Sequence, residues 1–303
     1  MPGPSAATTQ GSWQVVLTVQ TSGVNFGIAG IALDGKGNIY FTEMDDDLIY
    51  EYTTSGQLVR RWGGTGNGPG QLTHPEKLAF DAQGNLYVTE VGSNTWGGST
   101  AENDRIQKFS PIGTALAKWG TLGDGPGQFN VPIGIAIDQQ GDIFVADVAN
   151  HRVEKLSASG QFLKQWHTVG SGVGEYTETG FDLALDTSGN LYVSEPLPYG
   201  PGPERIEKFS PSGASLAHWG VSGTGPGQFN KPFCLTLDAK GNVFVVDSGN
   251  NRIQELSPTG QYLAQWKGPH RGLLATSKPA VDDRGNLYVS DGEQILKLVL
   301  RSD

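Results

Sequence analysis

Short apolar stretches separated by turn residues recur along the whole chain. A turn of the form Asp-x-x-Gly-(Asn/Asp) occurs six times, at spacings of 44 to 57 residues. An apolar run precedes each turn and a second one follows it, ending in a carboxylate. A third run, a Ser-x-x-Gly-type turn and a fourth run complete the unit. Runs this short, rich in β-branched and aromatic residues and bounded by Gly turns, predict strands. The six turns begin at Asp34, Asp81, Asp138, Asp186, Asp238 and Asp282.

The repeat predicts an all-β fold in which each unit is one sheet of four short antiparallel strands. A single sheet of this kind cannot bury both of its faces. Units repeated radially cover one another, which is the arrangement of a β-propeller. Tandem β-sandwiches are the competing interpretation, but they would not require the same turn chemistry in every unit.

The number of blades follows from the two ends of the chain. Five units contain all four runs, whereas the last one stops after its third run, residues 295–300. Residues 13–19 form an orphan strand that can complete this last blade, which gives six blades and a closed ring without a free sheet edge. We therefore predict one propeller over residues 11–303, preceded by a flexible tail over residues 1–10.

Two segments resemble the NHL repeat, namely Asp-Val-Ala-Asn-His-Arg-Val at residues 147–153 and Asp-Ser-Gly-Asn-Asn-Arg-Ile at residues 247–253. The preceding Gly-Pro-Gly-Gln-Phe-Asn-x-Pro, at residues 125–132 and 225–232, resembles that repeat as well. The resemblance extends over residues 12–300 and implies a six-bladed propeller. It does not imply one function, because a fold of this kind carries many different sites.

Composition excludes several classes of partner. The chain has 21 Lys and Arg against 31 Asp and Glu, a net charge of −10, and no cluster of basic and aromatic residues. Binding to phosphate backbones depends on such clusters, so we expect no nucleic-acid partner. The sequence lacks an apolar run of about 18 residues, so we expect no membrane insertion. The compartment stays open, because one cysteine suits oxidising and reducing environments alike.

One rim of the predicted propeller is variable. The Asp-x-x-Gly and Ser-x-x-Gly turns share the uniform rim, whereas the links between second and third strands, and between blades, share the other, which we call the variable rim. Fourteen residues separate Glu90 from Arg105 on this rim, but only four separate Asp147 from Arg152. Loops on a rigid scaffold often carry function. Trp96 and Tyr199 on the long connections are predicted ligand anchors, with packing as a lid the alternative.

A carboxylate ends every second strand, and in four blades an Arg begins the facing third strand. A planar guanidinium matches a carboxylate, so we expect four structural ion pairs. The predicted pairs are Glu90–Arg105, Asp147–Arg152, Glu195–Arg205 and Asp247–Arg252.

The other two blades lack this Arg and are neighbours in the ring. Glu43 and Asp291 are therefore predicted to lie unpaired and close together, beside Asp45, Asp46 and Asp47. Such an acidic patch suits a cation, an amine or a basic protein surface. A solvated acidic rim without a ligand is the alternative.

Charged residues also gather where the first strands converge on the central channel. Lys77, Asp182 and Lys278 occupy equivalent positions there, and Glu76 adjoins Lys77. Converging charges in a concave site are weak candidates for catalytic residues, although they could instead neutralise one another. Cys234, at an equivalent position, is expected to be a buried thiol without a catalytic role.

The sequence gives little support to a metal cofactor. NHL-like amidating lyases, which the repeat resembles, place zinc-binding His residues directly after the Pro that leads into the first strand. That position holds no His in this chain. Six-bladed lactonases use a channel calcium, but here Glu76 and Asp182 would be opposed by two lysines, which is a weak calcium site. We predict no cofactor and keep calcium or zinc as an alternative.

Together these observations predict a binding scaffold that holds a protein, a peptide or a small cationic ligand on the variable rim and at the channel mouth. The alternative is a metal-assisted hydrolase or lyase, similar to a lactonase or esterase, that acts at the channel mouth.

Overall fold

A computed structural model of the chain describes residues 12–20, 27–92, 103–167, 182–196, 204–268, 278–292 and 294–301. Within these residues, 24 strands form six four-stranded antiparallel sheets. This confirms the all-β propeller of six blades. Among the residues so described, no helix has the length and apolar character needed to cross a membrane.

Blades 1 to 3 follow one another along the chain and use the same strand order. Their strands are β2 (Ile28–Leu33), β3 (Ile39–Glu43), β4 (Leu48–Tyr52) and β5 (Leu58–Gly63); β6 (Pro75–Phe80), β7 (Leu86–Glu90), β8 (Arg105–Phe109) and β9 (Ala115–Trp119); and β10 (Pro132–Ile137), β11 (Ile143–Asp147), β12 (Arg152–Leu156) and β13 (Phe162–His167).

Blades 4 to 6 continue the pattern, and the last blade takes one strand from the start of the chain. Their strands are β14 (Leu183–Leu185), β15 (Leu191–Glu195), β16 (Arg205–Phe209) and β17 (Ser215–Trp219); β18 (Pro232–Leu237), β19 (Val243–Asp247), β20 (Arg252–Leu256) and β21 (Tyr262–Lys267); and β22 (Ala280–Val281), β23 (Leu287–Ser290), β24 (Gln294–Arg301) and β1 (Ser12–Gln20).

The orphan N-terminal strand closes the ring as the sequence predicted. Strand β1 pairs antiparallel with β24, from Ser12 opposite Arg301 to Gln20 opposite Gln294. On the inner side, a parallel bridge between Gly30 and Lys278 joins the first strand of blade 1 to blade 6. The N-terminal and C-terminal parts of the propeller are thus joined in two places, at the outer edge of blade 6 and near the axis.

The repeated Asp shapes the turn between the first two strands of each blade. In blade 2, Asp81 Oδ1 accepts hydrogen bonds from the backbone N–H groups of Gln83 and Asn85, at 3.0 and 2.8 Å. Gly84 in the same turn has a φ of +78°, which an L side chain rarely adopts. The Asp and the Gly of the repeat therefore have a local structural role at the uniform rim.

The hydrophobic core lies between adjacent blades. One cluster packs Tyr87 and Ile106 of blade 2 against Ile135 and Ile143 of blade 3, all 1% exposed or less. The Gly-rich links between blades lead into strands and place buried apolar side chains in these interfaces. The buried residues of the links are Leu72, Phe129 and Phe229.

Candidate functional site

The four predicted ion pairs of the variable rim are present in the structure. In each pair the Arg Nε lies within 3.0 Å of a carboxylate oxygen on the facing strand, because strand register places the two residues directly opposite each other. The N···O distances are 3.0 Å for Arg105–Glu90, 2.7 Å for Arg152–Asp147, 2.7 Å for Arg205–Glu195 and 2.7 Å for Arg252–Asp247.

These pairs also hold the links between blades. The Arg152 guanidinium donates to the backbone carbonyls of Asp124 and Gln128, at 2.6 and 2.7 Å. Asp147 accepts the backbone N–H of Asn130 at 2.6 Å. Because both members of the pair bind the preceding link, the pair stabilises the rim and does not face a ligand.

Blade 1 departs from this arrangement at Glu43. The residue opposite it in the sheet is Leu48 and not an Arg. Glu43 is fully buried; Oε2 accepts the backbone N–H of Asp46 at 2.5 Å, and Oε1 has no hydrogen-bond partner among the described residues. Burial raises the pKa of this carboxyl group. Glu43 lacks the ion pair as predicted, but it lies beneath the rim and not on its surface, which corrects its assignment to a ligand-contacting patch.

Asp47 was also expected in the patch, and the structure corrects this. Its side chain is buried and accepts the backbone N–H of His74 at 2.7 Å. His74 has a φ of +42° and directly precedes β6 of the next blade. Asp104 makes the equivalent contact with Val131, at 2.9 Å. Asp47 therefore joins blade 1 to blade 2.

The expectation that Asp291 lies unpaired is wrong. Gln294 occupies the position of the missing Arg and donates from Nε2 to Asp291 Oδ2 at 2.8 Å. The backbone N–H of Gln294 also donates to Asp291 Oδ1, at 3.1 Å. A glutamine amide thus replaces the guanidinium of blades 2 to 5 as hydrogen-bond donor, without its charge.

Asp45 and Asp46 remain as the surface acids of this region. Both are exposed, on the connection between β3 and β4. Within the described part of the chain, neither carboxylate has an ion pair or a side-chain hydrogen bond. Their negative charges lie above the buried carboxyl group of Glu43, whose pKa they raise further. The two predicted aromatic anchors, Trp96 and Tyr199, lie outside the described residues.

The charged residues of the central channel bind one another. Lys278 Nζ of blade 6 reaches past blade 5 to Asp182 Oδ1 of blade 4, at 2.9 Å, and to the carbonyl of Leu183, at 2.7 Å. Asp182 is fully buried and also accepts the backbone N–H groups of Leu183 and Leu235, at 2.9 and 3.1 Å. The charges of Lys278 and Asp182 therefore neutralise each other, which is the alternative that the sequence had left open.

Of the other channel residues, Lys77 and Cys234 are also buried, whereas Glu76 is partly exposed. Lys77 is 1% exposed, and its Nζ donates to the carbonyl of Ala29 at 2.8 Å and lies 4.0 Å from Glu76. Burial raises the pKa of Glu76. Cys234 is buried as expected, and burial raises the pKa of its thiol to about 12, which leaves almost no nucleophilic thiolate at neutral pH.

A set of hydroxyl groups near the axis was not identified from the sequence. Thr89, one residue before the carboxylate of blade 2, accepts the backbone N–H of Lys77 at 3.1 Å and donates to the carbonyl of Ile133 in blade 3 at 2.7 Å. Thr42 and Ser194 connect blades 1 to 2 and 4 to 5 in the same way. A hydroxyl residue repeated at this position, in an otherwise apolar strand, is the sequence signal that could have revealed them.

No group of three or more His, Cys, Asp or Glu side chains within the described ranges could hold a metal ion. At the position where amidating lyases carry zinc-binding His, the described residues are Ala29, Glu76, Ile133 and Phe233. The donor set at the axis consists of Asp182 and Glu76, and the ammonium group of Lys278 already binds the first of these.

Comparison with known proteins shows similarity to NHL-repeat proteins. Residues 129–156 match the family model of the NHL repeat. NHL repeat-containing protein 3 of Homo sapiens is 26% identical over 236 residues, which cover 76% of this chain and 50% of that protein. Peptidylglycine alpha-amidating monooxygenase of Rattus norvegicus is 30% identical over 199 residues, or 58% of this chain and 19% of that protein. The chain therefore spans at most half the length of these relatives.

Solved structures show the same fold at low sequence identity. A streptogramin B lyase is 17% identical with a TM-score of 0.64, over 95% of this chain and 98% of that one. A gluconolactonase from Xanthomonas campestris is 16% identical with a TM-score of 0.62, over 94% of this chain and 89% of that one. Similarity at this level extends to the fold and not to the chemistry.

Proposed function

We propose that this six-bladed NHL-repeat propeller is a binding scaffold, which holds a basic peptide, a basic protein surface or a small cationic ligand on its variable rim. The observation that carries the proposal is the turn of blade 1. There Asp45 and Asp46 are exposed and bind no other described side chain, while the corresponding turns of blades 3 and 5 satisfy their own polar groups.

The contrast between blades is physical. In blade 3, the residues after the second strand form a 3₁₀ turn, Val148–Asn150, and Asn150 Nδ2 donates to Asp147 and to the carbonyl of Gly123, both at 2.8 Å. Blade 5 repeats this turn at Ser248–Asn250. Blade 1 instead offers two carboxylates to the solvent, and a net charge of −10 steers cations toward the molecule.

The buried carboxyl group of Glu43 adds to the attraction of a cation. A positive charge bound between Asp45 and Asp46 would lower the cost of ionising Glu43, which faces Leu48 in the sheet and not an Arg. In our proposal, therefore, the ligand supplies part of the positive charge that Arg supplies in four other blades. Trp96 and Tyr199, which lie outside the described residues, are proposed as aromatic anchors on the long connections of blades 2 and 4.

The enzyme alternative has less support from the geometry. A general base or metal ligand at the channel mouth needs a carboxylate that can reach a substrate. Asp182 is fully buried and has three hydrogen-bond donors, one of them Lys278. The streptogramin B lyase and the gluconolactonase share the fold of this chain, but their sequence identity to it is too low to support an enzymatic function.

The test is a binding measurement with a fluorescently labelled oligolysine peptide, followed by anisotropy at low and moderate salt. We expect Asp46→Lys, alone and with Asp45→Lys, to weaken binding several-fold. The matched control is Asp283→Lys, an equal charge reversal at an exposed residue on the uniform rim. Equal affinities of Asp46→Lys and Asp283→Lys would show that the peptide responds only to net charge, and the proposal would fail.

A further inference from the structure

The third residue of the third strand is buried on the variable rim side of four blades, and its chemistry varies. In blades 2 and 5 it is a glutamine, and in blades 3 and 4 a glutamate. All four lie opposite a valine of the second strand, so the backbone presents them identically. The pairs are Val88–Gln107, Val145–Glu154, Val193–Glu207 and Val245–Gln254.

The glutamine makes three contacts that fasten the link between blades. Gln254 Oε1 accepts the N–H of Gly227 at 2.9 Å. Its Nε2 donates to the carbonyl of Gln228 at 2.7 Å and to Asp247 Oδ2 at 3.0 Å. Gln107 makes the equivalent contacts in blade 2. The amide thus acts as acceptor and donor at once.

Glu154 reproduces only the acceptor half of this arrangement. Its Oε2 accepts the N–H of Gly127 at 3.1 Å. Its Oε1 is buried and accepts no hydrogen bond from any described residue. Arg152 Nη2 lies 3.0 Å away but donates to the carbonyls of Gly125 and Gln128 instead. An ionised carboxylate cannot donate, so the contact that Gln254 makes with Asp247 is missing in blade 3.

We propose that Glu154 is a proton-binding site, in which the protonated carboxyl group donates to Asp147 or to the Gln128 carbonyl and so fastens residues 120–131, the link between blades 2 and 3. Loss of the proton removes this donor and places a second negative charge beside Asp147. The link is then held less firmly. The rim of this propeller thereby responds to pH at the interface between blades 2 and 3.

The charges around Glu154 agree with this assignment. Strand β11 presents Asp147, and strand β12 itself presents Arg152. Strand β13 presents the neutral Gln165 opposite Glu154, and the link presents backbone N–H groups. The pKa of Glu154 is raised to about 7, chiefly by burial; the charge of Arg152 and the Gly127 N–H oppose this rise, and the charge of Asp147 adds to it.

Hydrogen–deuterium exchange on the full chain tests the proposal locally. Two links between blades, residues 120–131 and 220–231, have the same residue at eight of 12 positions and make the same kinds of contact. The second link faces Gln254 in place of a glutamate, so it serves as the internal control. With exchange times corrected for intrinsic rates, protection of 120–131 should fall about tenfold between about pH 6 and about pH 8.5, which follows from a pKa near 7. Protection of 220–231 should not change.

Two substitutions make the outcome decisive. Glu154→Gln should abolish the pH dependence of 120–131, and Gln254→Glu should create one in 220–231. The proposal is overturned if the two links of the unmodified protein respond alike, or if Glu154→Gln keeps the response of the first. Infrared difference spectra provide a second readout, because the band of the buried protonated carboxyl group should disappear in Glu154→Gln. If Gln254→Glu does not fold, the proposal is still tested by comparing the two links in the unmodified protein and by comparing Glu154→Gln with the unmodified protein.

Discussion

Replacing Lys278 by methionine tests whether the ion pair across the channel stabilises the ring. Methionine keeps the length of the apolar side chain and removes the ammonium group. Asp182 then remains fully buried, with two backbone N–H donors and no counter-charge. Removing one partner of a buried pair costs about 3–5 kcal/mol. Because the two backbone donors remain, we expect about 3 kcal/mol.

The matched control is Lys297→Met in the same blade. Lys297 lies 3.5 Å from Asp282, both are partly exposed, and its Nζ is 5.0 Å from the ring centroid of Tyr288. A partly exposed pair and a cation–π contact of this kind contribute about 1 kcal/mol together. Lys278→Met should therefore destabilise the protein by about 2 kcal/mol more than the same substitution at the surface.

Urea unfolding of both variants at low and high salt measures the difference. The midpoints convert to free energies if the slopes agree with that of the unmodified protein. Salt should reduce the effect of Lys297→Met and leave that of Lys278→Met nearly unchanged, because buried charges are poorly screened. Equal costs for the two variants, or an equal response to salt, would refute the assignment of Lys278 and Asp182 to a buried, stabilising pair.

Four further outcomes are expected. Asp47→Ala removes the acceptor of a backbone N–H before β6 and should lower the free energy of unfolding by about 1–2 kcal/mol in urea titrations. Gly160→Ala should cost at least about 2 kcal/mol by the same assay, because φ is +80° and the new Cβ would overlap the indole ring of Trp119. Burial and Glu207 raise the pKa of Glu195 to about 7, above its usual value of 4.5, so stability should fall as pH rises through this interval. Glu207→Gln should flatten that fall in melting temperature measured across pH. Chelator treatment should leave the melting temperature unchanged, and elemental mass spectrometry that found a stoichiometric metal lost with stability would favour the enzyme.

The repeat pattern was sufficient to predict the fold because a propeller is built from nearest-neighbour contacts. Each blade needs the same apolar runs and the same turns, so the sequence records the architecture six times. The missing last strand and the orphan first strand indicated ring closure, and β1 with β24 confirmed it. The four Arg–carboxylate pairs followed from strand register alone, since facing residues in adjacent strands must meet.

The candidate site was less predictable, because side-chain direction at the rim depends on backbone angles that the repeat does not encode. Asp47 has a φ of +56° and points into the next blade, away from solvent. Glu43 turns under its own loop and binds the N–H of Asp46. Asp291 accepts a hydrogen bond from the neutral side chain of Gln294. A search of the sequence for oppositely charged partners does not find such a residue.

The sequence by itself determined the class of fold, the number of blades, the closure of the ring and the structural ion pairs, because all of these depend on periodicity and register. Only the tertiary structure decided which charges meet across blades. Lys278 and Asp182 are 96 residues apart and become partners through the curvature of the ring. The tertiary structure also leaves Asp45 and Asp46 at the surface and buries Glu154 on the strand next to Asp147, where burial favours the protonated form of a carboxyl group more than water does.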